Sequence, residues 1–279
     1  MQLKSKLGLG SVQFGINYGI SNTQGQTSSA EVKNILSFAL ENGITTIDTA
    51  SGYGSAEKIL GENELDNFQV ISKYILPSPE EKIAVQLLKT LADLKIKSLY
   101  GYMAHRPMEI INNPGEWEQL KSLKEQGLIK KIGFSLNMPS ELSALLEKGF
   151  EPDIIQAPFN YLDTRFENAM KRLKQSGCEI HSRSAFLQGL FFRPASSLPD
   201  FFEEVKPMLT RLQSIKFSLP GALLRFVLEK DFIDKVIIGV ENVIQLKQNL
   251  ADIDNASLLP VEAYHVPENI LMPFNWPKT

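Results

Sequence analysis

The chain has 279 residues, of which 43% are hydrophobic, and 29 basic against 32 acidic side chains give a net charge of −3. This composition is typical of a globular protein that can bury a large core. The near balance of charge, without a basic tract, argues against nucleic acid or an anionic membrane as an obligatory partner. No stretch approaches the ~18 uninterrupted apolar residues of a membrane span, and we expect no signal peptide.

Cys178 is the single cysteine, so no disulfide can form within the chain. A chain without disulfides suits a reducing compartment, and we therefore predict a cytoplasmic protein. We expect Cys178 to be a buried packing residue rather than a nucleophile.

Short apolar runs alternate with longer amphipathic segments along the whole chain. The runs predict eight strands, at Leu7–Gly10, Thr46–Asp48, Gln69–Ser72, Leu99–Ala104, Lys131–Ser135, Ile154–Ala157, Glu179–Ser182 and Val236–Gly239. Apolar residues recur at the 3.6-residue period between them. This period predicts helices at Ser29–Asn42, Pro79–Leu94, Glu116–Gln126, Pro139–Lys148, Arg165–Gln175, Pro220–Glu229 and Val243–Ala251.

Strands that alternate with helices of this length form βαβ units and a parallel sheet. Eight such strands in ~250 residues favour a closed (β/α)8 TIM barrel over an open sheet. No GxGxxG motif opens a helix after the first strand, so the open dinucleotide-binding fold is not indicated. We predict one barrel domain over residues 1–279. Residues 190–214 and the Pro-rich tail 253–279 are expected to be irregular.

Four residues that can carry chemistry follow three consecutive predicted strands. The second strand ends at Asp48, with Tyr53 five residues later, the third continues into Lys73, and the fourth is followed by His105. Because the carboxyl ends of barrel strands form one mouth, we expect these side chains to converge there. Each residue alone has an ordinary structural explanation, such as a helix cap, core packing or a solvated lysine. That all four occur at three consecutive strand ends favours an active site.

The four side chains suit proton donation to a carbonyl. A tyrosine ordinarily has a pKa near 10, and a neighbouring ammonium favours its phenolate form. A carboxylate can hold that ammonium in place, and a histidine can orient a carbonyl oxygen. The other histidines, His181 and His265, are expected to be structural or on the surface.

The segments around these residues resemble the aldo-keto reductase family. GITTIDTASGYGSAEKILGE resembles the family segment around its catalytic aspartate and tyrosine, VISK the lysine strand, and MAHRP the histidine strand. The resemblance, over about residues 6–252, implies a reductase that converts an aldehyde or ketone to an alcohol. Its catalytic residues would be Asp48, Lys73, His105 and, as general acid, Tyr53. The family uses NAD(P)H, usually NADPH, without a metal, so we expect NADPH.

The resemblance also implies a set of cofactor contacts. The segments LGLGSVQFG, IKKIGFSLNMPSEL, IIQAPFNYLD, HSRSAFLQGLF and VIIGVENVIQLKQNL carry them. Ser135 and Gln156 would bind the nicotinamide carboxamide, and the last segment would bind the adenosine phosphate. The full expected set is Gly10, Ser11, Val12, Asp48, Ser135, Gln156, Arg183, Gly239, Gln245 and Asn249.

Three positions depart from the family pattern. Leu136 separates Ser135 from Asn137, so Asn137 is not expected to make the usual cofactor contact. Arg183 takes the place of a tyrosine that many members stack on the nicotinamide, although a one-residue slip would put Ser182 there. Gln245 replaces the basic residue that often binds the 2′-phosphate, so we expect tolerance of NADH.

The substrate is expected to be a small-molecule carbonyl. RSAFLQGL and QFGINYGIS resemble bacterial members found with surface-carbohydrate synthesis, which favours a carbohydrate-derived compound. Two other functions stay open: a non-catalytic NADP(H)-binding sensor, and a barrel aldolase with Lys73 as Schiff-base lysine. Neither the substrate nor the oligomeric state is encoded in a recognisable motif. Aromatic residues that could wall a pocket are Phe14, Tyr18, Trp117, Phe159, Phe191 and Phe192.

Overall fold

Eight parallel strands close into a barrel in the order of the chain, which confirms the predicted (β/α)8 TIM barrel. The computed structural model describes residues 3–76, 81–260 and 266–277. The strands are β1 (Leu7–Gly10), β2 (Thr46–Asp48), β3 (Gln69–Tyr74), β4 (Leu99–Ala104), β5 (Ile129–Ser135), β6 (Ile154–Pro158), β7 (Glu179–Arg183) and β8 (Lys235–Gly239).

Helices follow the strands and pack around the barrel. They are α1 (Val12–Gly15), α2 (Ser29–Glu41), α3 (Ala56–Leu60), α4 (Ile83–Leu94), α5 (Met108–Asn112), α6 (Gly115–Glu125), α7 (Pro139–Glu147), α8 (Glu167–Gln175), α9 (Lys206–Gln213), α10 (Leu219–Leu228), α11 (Val243–Asn255) and α12 (Glu268–Leu271). Short 3-10 turns lie at Lys4–Lys6, Leu187–Phe192, Ala195–Ser197, Asp200–Val205 and Pro273–Asn275. No helix within the described ranges is long and apolar enough to cross a membrane.

Helix α2 shows how the sequence pattern determines a helix. The Ser28 hydroxyl accepts a hydrogen bond from the Glu31 amide and caps its first turn. One face is buried and the opposite face is exposed, as the 3.6-residue period predicts. Gly43, at φ +74°, follows the helix, in a conformation that favours glycine. Helix α4 starts at Ile83, whereas its predicted start at Pro79 lies outside the described residues.

The prediction that residues 190–214 are irregular is wrong. This segment forms short 3-10 turns followed by α9, whose Met208, Leu209 and Leu212 lie three and four residues apart on a buried face. They pack with Leu271 and Trp276 of the C-terminal tail in a second apolar cluster beside the barrel. The tail is therefore also packed, and α11 continues to Asn255, past its predicted end at Ala251.

Two polar residues lie near the amino end of the barrel. His181 is fully buried, and its Nε2 atom lies 2.6 Å from Oε1 of Glu179, which also pairs with Lys131. This contact agrees with the structural role expected for His181, while His265 lies outside the described residues. Cys178 is buried, and burial raises the pKa of its thiol to about 12. Its sulfur is therefore protonated at neutral pH, as expected of a packing residue.

Candidate active site at the barrel mouth

The four predicted catalytic side chains meet at the carboxyl end of the barrel. Lys73 Nζ lies 2.6 Å from Asp48 Oδ2 and 3.4 Å from the phenolic oxygen of Tyr53. The rings of Tyr53 and His105 meet edge to face, with centroids 5.8 Å apart. The four side chains are therefore brought together as the strand-end pattern predicts.

The loop after β2 positions Tyr53. The amides of Thr49 and Ser51 continue the pairing with β3, and the Tyr53 amide then donates to the Ala50 carbonyl in a turn. Gly15 lets α1 approach this turn, because a Cβ atom on it would lie 1.7 Å from the Tyr53 carbonyl oxygen. A larger residue at Gly15 would displace the phenol.

Asp48 is the hub of the buried polar network. It is 3% exposed; its Oδ2 atom accepts from Lys73, and its Oδ1 atom accepts from Gln156 Nε2 at 2.7 Å. Lys73 also donates to the Thr49 carbonyl at 2.9 Å. Both carboxylate oxygens are thus satisfied, as a buried charge requires.

Lys73 is charged despite being 1% exposed. Burial alone would lower the pKa of its ammonium, but the Asp48 carboxylate and the Tyr53 phenol outweigh burial and hold that pKa above its ordinary value. A Schiff-base lysine must be neutral to attack a carbonyl. The environment of Lys73 therefore argues against an aldolase.

His105 is neutral at physiological pH. Burial, followed by the positive charges of Lys73, Arg183 and Arg106, lowers its pKa to about 3. Its Nδ1 atom is buried and has no hydrogen-bond partner among the described residues. A neutral imidazole can orient a carbonyl by a hydrogen bond, but it is a poor proton donor at pH 7.

A cleft opens above these residues. Most of the expected cofactor residues line it: Gly10, Ser11, Val12, Asp48, Gln156, Arg183, Gly239, Gln245 and Asn249. Ser135 is not among the lining residues; it lies at the end of β5, in register with Gln156. Ser182 is fully buried and does not line the cleft, so Arg183 is the β7 side chain that reaches it.

The cleft floor carries polar atoms that suit a polar ligand. Ser11 Oγ and Gln13 Oε1 line the cleft, are buried and have no hydrogen-bond partner among the described residues. An unsatisfied buried polar atom costs about 1–3 kcal/mol. A ligand with amide and hydroxyl groups, such as a nicotinamide nucleotide, would satisfy them, so the lining fits that group.

Arg183 does not pair with a carboxylate within the described part of the chain. Its Nη2 atom donates to the Leu136 carbonyl at 2.9 Å and to Asn137 Oδ1 at 2.6 Å, and both acceptors are neutral. Its positive charge therefore remains uncompensated in the cleft. The side-chain oxygen of Asn137 is engaged by this guanidinium.

Two segments meet across the cleft rim. Gln188 Nε2 donates to the Tyr18 hydroxyl at 2.7 Å, and the Ile20 amide donates to the Gln188 carbonyl at 3.2 Å. Ser184, Leu187 and Gln188 all have positive φ angles, between 44° and 65°. Such strain in residues other than glycine is typical of functional loops. It is sustained here by the contacts between the two segments.

The aromatic candidates divide between core and cleft. Phe14, Trp117, Phe159 and Phe191 are buried in the apolar clusters, whereas Tyr18 and Phe192 line the cleft. Sequence reasoning missed further lining residues, among them Gln13, Phe186, Gln188, Glu241 and Gln248. Only Glu241 carried a usable signal, because it follows the end of β8 at the barrel mouth, immediately before the helix cap Asn242.

Comparison with known proteins assigns the family. The sequence profile of the aldo/keto reductase family matches residues 6–262. The chain therefore belongs to the aldo/keto reductase family.

The chain is also similar to individual proteins and solved structures. Methylglyoxal reductase DkgA of Escherichia coli (strain K12) is 31% identical over 139 residues, which are 47% of this chain and 50% of that protein. The chain thus matches about half the length of this curated relative. The holo form of aldo-keto reductase AKR11C1 from Bacillus halodurans has a TM-score of 0.71 at 21% identity, covering 91% of this chain and 88% of that one. A putative aldo-keto reductase from Pseudomonas aeruginosa has a TM-score of 0.67 at 20% identity, covering 88% of both chains.

Proposed function

We propose that this protein reduces an aldehyde or ketone to an alcohol with a reduced nicotinamide cofactor, and that Tyr53 is the general acid. The contact of Tyr53 with the charged Lys73, which in turn pairs with Asp48, carries this proposal. The cofactor, when bound, supplies a hydride to the carbonyl carbon. The hydroxyl proton of Tyr53 goes to the carbonyl oxygen, and the products are an alcohol and the oxidised nucleotide.

The remaining side chains support that proton transfer. Loss of the proton leaves a phenolate on Tyr53, and the Lys73 ammonium stabilises this negative charge. Asp48 keeps Lys73 charged and in place, and Gln156 fixes the Asp48 carboxylate. Neutral His105, whose ring lies against Tyr53, donates a hydrogen bond to the carbonyl oxygen and orients it.

The cleft lining would hold the cofactor along the barrel mouth. The floor residues Gly10, Ser11 and Gln13, together with Gln156, would bind its polar groups, and α11 would bind its adenosine end. The unsatisfied oxygen atoms on the floor support this assignment. The site roles of Val12, Ser135, Arg183, Gly239, Gln245 and Asn249 remain predictions from the family resemblance.

The substrate is proposed to be a small, oxygen-rich carbonyl. The similar Escherichia coli protein is named a methylglyoxal reductase. Tyr18, Gln188 and Arg183 give the cleft hydrogen-bonding groups that suit a carbohydrate-derived aldehyde or ketone. The single-domain organisation over residues 1–279 and the cytoplasmic location remain predictions.

The direct test is a panel of aldehydes, ketoses and sugar-nucleotide ketones, each assayed with NADH and with NADPH by the absorbance of the reduced nicotinamide. Turnover with at least one compound, abolished in Tyr53→Phe, would support the proposal. Tight nucleotide binding without turnover of any compound would instead support a cofactor-binding sensor. A covalent adduct trapped by borohydride on Lys73 would support an aldolase.

A further inference from the structure

The amino end of α11 has little free capacity for an anion. The Val243 amide donates to Glu31 Oε1 at 2.6 Å, so a carboxylate from α2 already lies where a phosphate could bind. Asn242 Oδ1 accepts from the Gln245 amide, and Gln245 Oε1 accepts from the Glu241 amide, both at 2.9 Å. The Val243 and Gln245 amides at this helix end therefore already have side-chain acceptors from the protein itself.

The charge around this helix end is negative. Glu241 lines the cleft beside Gln245 and adds a second carboxylate to that of Glu31. Among the described residues that line the cleft, Arg183 alone is positively charged, and it is bonded to Leu136 and Asn137. Lys247 points away, because its ammonium lies 5.2 Å from the centre of the Phe38 ring on α2.

These contacts affect the two nicotinamide cofactors differently. NADPH carries a phosphate on the 2′-oxygen of its adenosine, and NADH has a hydroxyl group there. A phosphate dianion is repelled by carboxylates, and the described residues that line this end of the cleft offer it no free cation. A 2′-hydroxyl can donate a hydrogen bond to a carboxylate, and such a bond to a charged acceptor is comparatively strong.

We propose that this enzyme prefers NADH to NADPH, and that Glu31 and Glu241 determine this preference. The inference rests on the proposed function, because it takes the adenosine end of the cofactor to lie against α11. It goes beyond the weakened NADPH preference expected from Gln245 alone. The neutral Gln245 removes an attraction, whereas the two carboxylates add a repulsion.

The test measures nucleotide affinity directly. Dissociation constants for NADH and NADPH, and for ADP-ribose and its 2′-phosphate, are determined by calorimetry at low and high salt. The ADP-ribose pair lacks the nicotinamide and reports on the adenosine end alone. We expect the unphosphorylated member of each pair to bind at least about tenfold more tightly at low salt, with a smaller ratio at high salt.

Charge-neutral variants separate the carboxylates from the rest of the site. Glu31→Gln and Glu241→Gln should each reduce the preference for the unphosphorylated ligand, measured as the ratio of the two dissociation constants, several-fold. The double variant should reduce this ratio further, mainly by improved binding of the phosphorylated ligands. Gln245→Arg should raise affinity for the phosphorylated ligands most. Glu147→Gln removes an exposed carboxylate at the end of α7 and should change no ratio.

The possible failures are distinguishable. Equal or tighter binding of NADPH by the unmodified protein, or unchanged ratios in both glutamine variants, would overturn the proposed preference and leave the reductase assignment standing. If neither nucleotide binds, the proposed function itself fails, and the preference fails with it.

Discussion

The phenolic oxygen of Tyr53 lies 3.4 Å from the ammonium nitrogen of Lys73, although Tyr53 follows β2 and Lys73 lies within β3. A charged donor at this distance stabilises the phenolate that remains after proton transfer. In the proposed mechanism, the pair places the general acid, Tyr53, next to the ammonium group that stabilises its conjugate base.

Tyr53→Phe should lower turnover about 10²- to 10⁴-fold, which is the usual contribution of a general acid. Nucleotide affinity should change only a few fold, because the proposed cofactor contacts lie on the cleft floor and not on the Tyr53 hydroxyl. Single-turnover oxidation of the reduced cofactor measures the chemical step, and a fluorescence titration measures binding. Retention of more than about a tenth of the rate, with chemistry rate-limiting, would show that Tyr53 is not the acid.

Tyr18→Phe is a matched control, because it removes the second phenol of the cleft and leaves the contact of Tyr53 with Lys73 intact. Burial and the nearby Tyr53 raise the pKa of Tyr18, so this phenol is neutral at pH 7 and can donate a hydrogen bond. We expect this variant mainly to raise KM while keeping most of kcat. A loss of kcat as large as that in Tyr53→Phe would contradict the division of roles.

The buried pair of Lys73 and Asp48 should couple strongly in stability. Lys73→Met leaves the Asp48 carboxylate buried without its cation, and breaking such a pair costs about 3–5 kcal/mol. Adding Asp48→Asn removes this unpaired buried charge. The double variant should therefore regain much of the free energy of unfolding without regaining activity. Urea denaturation of the unmodified protein, the two single variants and the double variant measures this coupling. Additive changes in the free energy of unfolding would show that the pair is not energetically linked.

The low pKa of His105 predicts an acid-sensitive fold. Burial, with the nearby cations, holds this pKa at about 3 in the native state, against 6.5 in an unfolded chain. Between these values the unfolded chain binds a proton that the native protein does not. Stability should therefore fall as the pH drops from 6.5 towards 3, by at most about 1.4 kcal/mol per pH unit from this group.

The comparison that isolates this effect is His105→Gln, because all other titrating groups are shared with the unmodified protein. Urea midpoints at several pH values should show the unmodified protein losing its stability relative to the variant as the pH falls. A difference in stability between the two proteins that stays constant from pH 7 to pH 4 would contradict the low pKa of His105.

The uncompensated charge of Arg183 should affect the redox states of the cofactor unequally. An oxidised nicotinamide ring is cationic and a reduced ring is neutral, so a nearby guanidinium disfavours the oxidised nucleotide. Arg183→Tyr should gain affinity for the oxidised form more than for the reduced form. Arg183→Lys keeps the charge and should leave the ratio of the two dissociation constants nearly unchanged. Equal gains for both forms in Arg183→Tyr would rule this role out.

The barrel was predictable from sequence because its signals are local. Each strand is a short apolar run. A helix such as α2 has its N-terminal cap, its apolar face and the glycine after its last turn within one short stretch of sequence. The four catalytic candidates were predictable for the same reason, since strand ends converge in this fold. Short helices such as α3 and α5 have too few turns to show a period.

The remaining parts of the site depend on contacts between distant segments. The hydrogen bond between Tyr18 and Gln188 joins residues that are 170 positions apart, and no local sequence pattern predicts it. The occupation of the α11 amino end by Glu31 is likewise a contact across 212 residues. Segment 190–214 was expected to be irregular because it lies between β7 and its following helix, whereas its apolar residues pack in a second cluster with the tail.

The bond from Gln156 to Asp48 spans 108 residues of chain. Those residues include β3, β4 and β5, so in the native barrel this bond joins two strands that three others separate along the chain. Loop closure over such distances is slow and cooperative. During refolding, catalytic competence should therefore appear late, after most of the helical signal has returned, so enzymatic activity reports the completed barrel rather than its parts.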